Sequence, residues 1–426
     1  MKKHEILTNG IRFVSHQLNG LHSVTISVSF MAGSVFESID LKGVSHLIEH
    51  LYFRQLDDIS HKDLYTKTYM MGSELRGATF NDHVLFSITV VPQFFKDAIV
   101  LMSKLLHNFH WKEDTIDSEK RVVLNQIAYE EDSYEVSLHK DYFKGTDYAD
   151  SIMGTRKSVE LLTPEKINRY KDEHFTTRNS FVAIVGNYSD NDYEFAKEIF
   201  SNIEPTGVLR RNIVCKPKDF GLRTKENRYT IYDDDSEYSR ICVNFDVPEE
   251  YDNETVRLIS CMLGSGYGSL LGKTMREENA YTDELYCDIY YYYGISRISV
   301  SYTVDNLKLQ ESLNSLFNNI ALFKTELKEE WYKTNIVFFT DNYIKDYDDA
   351  KLLSDNYILF DFVLNGSVLS EPMDCKQKYG AITYESITKT AKGIFSKDKT
   401  SVIIETSFDD DNIVDMFESA IDILDK

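Results

Sequence analysis

A chain of 426 residues exceeds what one hydrophobic core usually serves, so two or more domains are expected. Hydrophobic residues at 42% and charged residues at 27%, with only 6 prolines and 19 glycines, exclude a disordered or fibrous chain. The formal charge of -22 repels phosphate backbones, which argues against nucleic acid; it favours cationic partners such as basic peptides, although an acidic surface also serves solubility alone.

The start, MKKHEILTNGIRF, has lysines but no apolar stretch of signal-peptide length, and no run of about 18 apolar residues occurs. A cytoplasmic protein without stable membrane insertion is expected. Cys215, Cys242, Cys261, Cys287 and Cys375 form no C-x-x-C pair, so reduced, buried thiols are expected rather than disulfides or a cysteine zinc cluster.

Along the chain, strands are expected at 5–17 and at HSVTISVSFMAGS (22–34), where apolar and small polar residues alternate. A helix follows at 43–55, a strand at 77–91 (GATFNDHVLFSITVV), and long helices at 93–109 and 114–143. NSFVAIVGN (179–187) reads as a buried strand and SDNDYEFAKEIFSNI (189–203) as an amphipathic helix. The second half repeats the order: SRICVNFDVPEE (239–250), a helix over NETVRLISCMLG (253–264), then TSVIIETS (400–407) and a helix at 409–424. Matching segments lie about 215–220 residues apart, the length of a domain rather than a solenoid unit. Segregated strands and helices imply α+β. The expected architecture is two homologous domains, 1–205 and 227–426, each an antiparallel-rich sheet packed with helices and joined by a linker at 206–226.

The stretch richest in chemistry is GVSHLIEHLYF (43–53). His46 and His50 are four apart, so on a helix they point the same way and can grip one cation. Glu49 between them can take a proton from water. This is H-x-x-E-H, the inverted zincin pattern, and zinc suits two imidazoles with a third N or O ligand. The alternative is a pair of helical histidines merely packed and hydrogen-bonded. GSGYGS (264–269) lacks the Lys-Ser/Thr of a phosphate loop and reads as a turn. The tyrosine run at 289–294 reads as a strand whose edge is a lesser candidate for peptide docking.

The order of these segments resembles the M16 (pitrilysin-like) zinc metallopeptidases of half length, over nearly the whole chain. GSELRGATFNDHVLFS (72–87) follows the H-x-x-E-H helix where that family has a Gly-Gly-x-x-Asn-Ala-x-Thr segment. SEKRVVLNQIAYEED (118–132) resembles its third-ligand helix, and SGYGSLLGKTMREENAY (265–281) its substrate-holding element. The resemblance implies an M16/LuxS-like metallohydrolase fold and a zinc endopeptidase acting on peptides in a clamshell chamber. The chamber's other half would come from a homodimer mate or a paralogous M16-like chain.

It implies His46 and His50 as zinc ligands, Glu49 as general base and Glu119 as a supporting residue behind the ligands. Arg276 and Tyr281 would hold the peptide and stabilise the oxyanion. Arg276 and Tyr281 are five apart where the family spaces them seven apart, leaving Tyr286 as a fallback. The family's third ligand, a glutamate, falls on Gln126, which offers only a neutral carbonyl oxygen. Glu119 and Glu130 would share its helix face at about 10 Å and 6 Å of rise, so substitution by either, weak binding and loss of zinc all stay open. The alternative function is a non-catalytic peptide-binding subunit of a peptidase-like heterodimer. A narrower resemblance, to the AlbF-type peptidases of subtilosin-like bacteriocin clusters, would imply maturation of a bacteriocin precursor.

Overall fold

The computed structural model describes residues 2–130, 139–140, 142–143, 146–208, 228–248, 250–266, 268–292, 295–364 and 372–425. It divides into two compact units, Met1–Cys215 with Lys345–Ser370, and Lys216–Ile344 with Glu371–Lys426. Each is an α+β layer of one sheet and its helices.

The first unit is built on a six-stranded sheet of β1 (Lys2–Ile6), β2 (Arg12–Gln17), β3 (Val24–Phe30), β6 (Arg76–Thr79), β7 (Val84–Val90) and β8 (Ser180–Gly186). Its order is β1-β2-β8-β3-β7-β6, with β4 (Gln55–Leu56) and β5 (Ile59–Ser60) forming a separate small hairpin. The β2–β8 pair is parallel and the remaining pairs are antiparallel. Helices α1 (Val44–Arg54), α2 (His61–Met70), α3 (Phe95–Ser103) and α4 (Glu113–Glu130) follow in the chain. The apolar positions of β3, Val24, Ile26, Val28 and Phe30, are fully buried in one core with Val44, Leu47, Ile48 and Leu51 of α1.

Thr25, Ser27 and Ser29, the intervening polar positions, are buried as well. Their cover comes from far along the chain: Ser354 Oγ donates to Ser27 Oγ at 2.8 Å, and Tyr357 OH lies 3.0 Å from His16 Nδ1. Burial pulls the His16 pKa down to about 4, so the imidazole packs there uncharged. The expected contiguous second domain, 227–426, thus gives up Lys345–Ser370 to the first unit.

The second unit carries β9 (Tyr229–Asp233), β10 (Tyr238–Pro248), β11 (Leu285–Tyr292), β12 (Ile295–Asp305) and β13 (Thr400–Thr406), ordered β11-β12-β10-β13-β9. Taken strand for strand, this repeats β6-β7-β3-β8-β2, including one parallel pair, β13 with β9. Of the six-stranded sheet, only β1 has no counterpart there among the described residues.

The strand expected at 77–91 is a hairpin, broken at 80–83 where the Phe80 N–H donates to the His83 carbonyl at 2.8 Å. The helix expected at 114–143 is described over Glu113–Glu130, and 131–138 lie outside the described residues, as do 209–226 of the expected linker. Cys242 and Cys287 are buried free thiols and Cys261 is half-buried; Cys215 lies outside the described residues, as does the Cys375 side chain. Among the described residues no helix is long and apolar enough to cross a membrane.

Candidate metal centre

The N-terminus of α1 is fixed from upstream. Gly43 stands at φ 90°, and a Cβ there would meet the Met153 carbonyl oxygen at 2.4 Å, so only glycine fits the entry turn. The first turn has no side-chain cap of its own. Instead Glu37, fully enclosed, accepts the Gly43 N–H at 2.7 Å and the Ser45 N–H at 2.8 Å. Burial pushes the Glu37 carboxyl above the ordinary range, against the pull of those two N–H groups. Ser45 Oγ lies 2.9 Å from Tyr170 OH, tying the same turn to the helix Pro164–His174.

With the apolar face of α1 in the core, His46, Glu49 and His50 share the opposite stripe, as spacings of three and four require. The two imidazole centroids are 4.6 Å apart at an interplanar angle of 66°. One potential ligand atom from each of His46, Glu49 and His50 lies within 4.8 Å of the others.

Helix α4 supplies the other wall. Glu119 and Gln126, two turns apart, both reach α1. Gln126 Oε1 is 3.1 Å from His46 Nε2, and Glu119 Oε1 is 3.0 Å from His50 Nδ1. Arg54 Nε also donates to Glu119 Oε2. Burial works against ionisation of Glu119, but the contacts with His50 and Arg54 prevail and hold its carboxyl below the usual range. A carboxylate there accepts the Nδ1–H of His50 and leaves Nε2 with its lone pair, the arrangement that orients a metal-binding histidine. Glu119 is therefore engaged behind His50, and the side chain of Glu130 lies outside the described residues.

The donor set fits zinc. The 3.1 Å between His46 Nε2 and Gln126 Oε1 is close to the roughly 3.4 Å that two ligands of a tetrahedral zinc keep from one another. His46 Nδ1 is buried with no hydrogen-bond partner among the described residues, 3.5 Å from Glu49 Oε2. Burial opposes a charge on His46, yet Glu49 and Gln126 raise its pKa on balance, so a cation entering here displaces a proton that the same groups favour.

Two residues outside the sequence reading complete the surroundings of Glu49. Thr79 Oγ1 donates to Glu49 Oε2 at 3.2 Å. A Cβ on Gly77 would fall 2.3 Å from Glu49 Oε1 and 2.8 Å from the Phe53 ring, so the backbone of β6 runs directly over the carboxylate. The available signals were a glycine interrupting a strand pattern and the place of both residues in the family-like segment 72–87.

Arg276, Tyr281 and Tyr286 lie in the second unit. Arg276 is half-buried on a wide π-type turn, Gly272–Glu278, with Nη1 3.5 Å from Glu277 Oε1. The Tyr281 N–H donates to the Met275 carbonyl at 2.9 Å, just after Ala280 at φ 49°. Tyr286 is exposed on β11, its OH donating to Glu284 at 2.5 Å.

Known proteins repeat this fold and order. The family model "Insulinase (Peptidase family M16)" matches residues 12–156, and "Peptidase M16 inactive domain" matches 161–334. An uncharacterized zinc protease of Rickettsia bellii is 21% identical over 93% of this chain and 96% of its own. A protease from Helicobacter pylori superposes with a TM-score of 0.81 at 17% identity, covering 95% of this chain and 99% of that one. A peptidase M16 inactive domain from Pseudomonas fluorescens gives 0.82 at 14%, covering 96% and 98%. With both of the family's models matched in succession across most of its length, this chain belongs to the M16 peptidase family.

Proposed function

We propose that the chain is a zinc-dependent endopeptidase that cleaves extended peptides, with His46, His50 and Gln126 holding the metal. The observation that carries this reading is the convergence of His46, Glu49 and His50 donor atoms within 4.8 Å, with Gln126 Oε1 3.1 Å from His46. Zinc, when bound, supplies Lewis acidity, which brings the pKa of a water toward neutrality and polarises a carbonyl.

The chain's own residues do the rest. Glu49 takes the proton of the attacking water and returns it to the departing amine, and Thr79 holds the carboxylate in position for both transfers. Glu119 fixes the ring of His50. Strand β6 is the sheet's edge, so its backbone can bind a peptide in extended form beside Glu49. Arg276 and Tyr281 would bind the peptide backbone and the developing oxyanion, roles suited to a cation and a phenol. The chamber would be completed by a homodimer mate or a paralogous M16-like chain. A bacteriocin precursor as substrate rests on the narrower sequence resemblance alone.

Chelation is expected to stop cleavage of an unstructured peptide, and stoichiometric zinc to restore it. Cleavage that resists the chelator contradicts this reading. Gln126 favours a second reading, a non-catalytic peptide-binding subunit, because a neutral ligand retains zinc less firmly than a carboxylate. Peptide binding without turnover at saturating zinc, alone and with the paralogous chain, would select it.

A further inference from the structure

Strand β6 ends its sheet, and among the described residues nothing pairs with its outer edge. Its side chains alternate between two faces. Gly77 and Thr79 approach Glu49, so Arg76 and Ala78 take the opposite face. On that face opens a cavity of about 830 Å³ lined by Tyr69, Glu74, Arg76, Ser87, Thr89 and Lys351. Ser87 is the register partner of Arg76 on β7, so the cavity begins at the edge strand itself.

The charges there are not equivalent. Lys351 Nζ lies 2.5 Å from Asp355 Oδ2, which matches its charge. Glu74 precedes the strand. Arg76 lies within the strand, is exposed, and has no ion-pair partner among the described residues.

We propose that this cavity is a subsite for an acidic side chain, Asp or Glu, of the bound peptide, read by Arg76. The proposal rests on the peptidase reading above and names its specificity. A peptide added to β6 sends alternate side chains to opposite faces: one set meets Glu49 and Phe53, and the set between them enters the cavity. An uncommitted guanidinium presents paired N–H donors that match a carboxylate. The charge of -22 over the whole chain makes the general field favour basic peptides. A preference for acid at alternate positions would run against that field, which makes it separable from it.

The test uses zinc-loaded full-length protein and unstructured fluorogenic peptides carrying Glu, Ala or Lys in turn at each position around the cleaved bond. Glu is expected to be preferred over Lys at a position on one side of the peptide's alternation and not at its neighbours. Arg76→Glu should lower the Glu-to-Lys ratio of kcat/KM there by about tenfold, the size expected when an attraction of surface-pair strength becomes a repulsion for one peptide and the reverse for the other. Arg76→Gln, which only removes the charge, should give an intermediate ratio and serves if the reversal impairs folding. Anisotropy of the same peptides on metal-free protein should rank them alike. An unchanged ratio with cleavage intact overturns the subsite. Failure of the unaltered protein to cleave any peptide instead overturns the peptidase reading, and the subsite then stands or falls on the anisotropy ranking.

Discussion

Replacing Glu49 by Gln is expected to reduce peptide cleavage by at least about a hundredfold, the usual contribution of a positioned general base. Fold and zinc content should not change. Gln keeps a carbonyl oxygen able to accept the 3.2 Å hydrogen bond from Thr79, and it retains the shape that fits under the β6 backbone at Gly77. What it loses is the capacity to take up a proton. Activity assays run beside zinc stoichiometry and thermal denaturation separate the outcomes. A variant that cleaves normally removes Glu49 from the chemistry, while one that loses zinc or unfolds would mean that Glu49 holds the site together.

The second large effect is expected at Gln126. Changing it to Glu places a formal negative charge about 3 Å from the His46 nitrogen, on the ligand side of the site. At an effective dielectric constant of about 20, unit charges 4 Å apart interact by about 4 kcal/mol, whereas a tenfold change in affinity requires about 1.4 kcal/mol. Even after desolvation of the new carboxylate, zinc should bind at least about tenfold more tightly. The added charge also makes the metal a weaker Lewis acid, so kcat at saturating zinc should not rise with affinity. Competition with a fluorescent zinc chelator measures the first quantity and steady-state kinetics the second. Unaltered affinity would place Gln126 outside the ligand set.

The helix stripe of the centre was legible because its information is local. Spacings of three and four on one helix put His46, Glu49 and His50 together whatever the rest of the chain does. Glu119 and Gln126 were reached only through the resemblance of 118–132 to the family's third-ligand helix; their spacing of two turns puts them on one helix face but does not say which neighbour that face meets. The two-unit α+β order could be read from the repetition of strand and helix patterns between the halves. The surroundings could not. Glu37 caps α1 across a loop, Gly77 and Thr79 reach Glu49 from another strand, and Ser354 covers Ser27 from more than three hundred residues away. Such contacts arise from packing, which hydrophobic periodicity does not encode. The small polar residues of β3 read as an ordinary strand alternation, and only the helix Ala350–Asn356 laid over them explains why they are buried.

Anomalous diffraction at the zinc absorption edge, from crystals of the zinc-saturated protein, tests the centre most directly. A single strong peak is expected between His46 and His50, about 2.0–2.2 Å from one nitrogen of each ring and from Gln126 Oε1. No peak at that position, with the two rings turned apart, would contradict it.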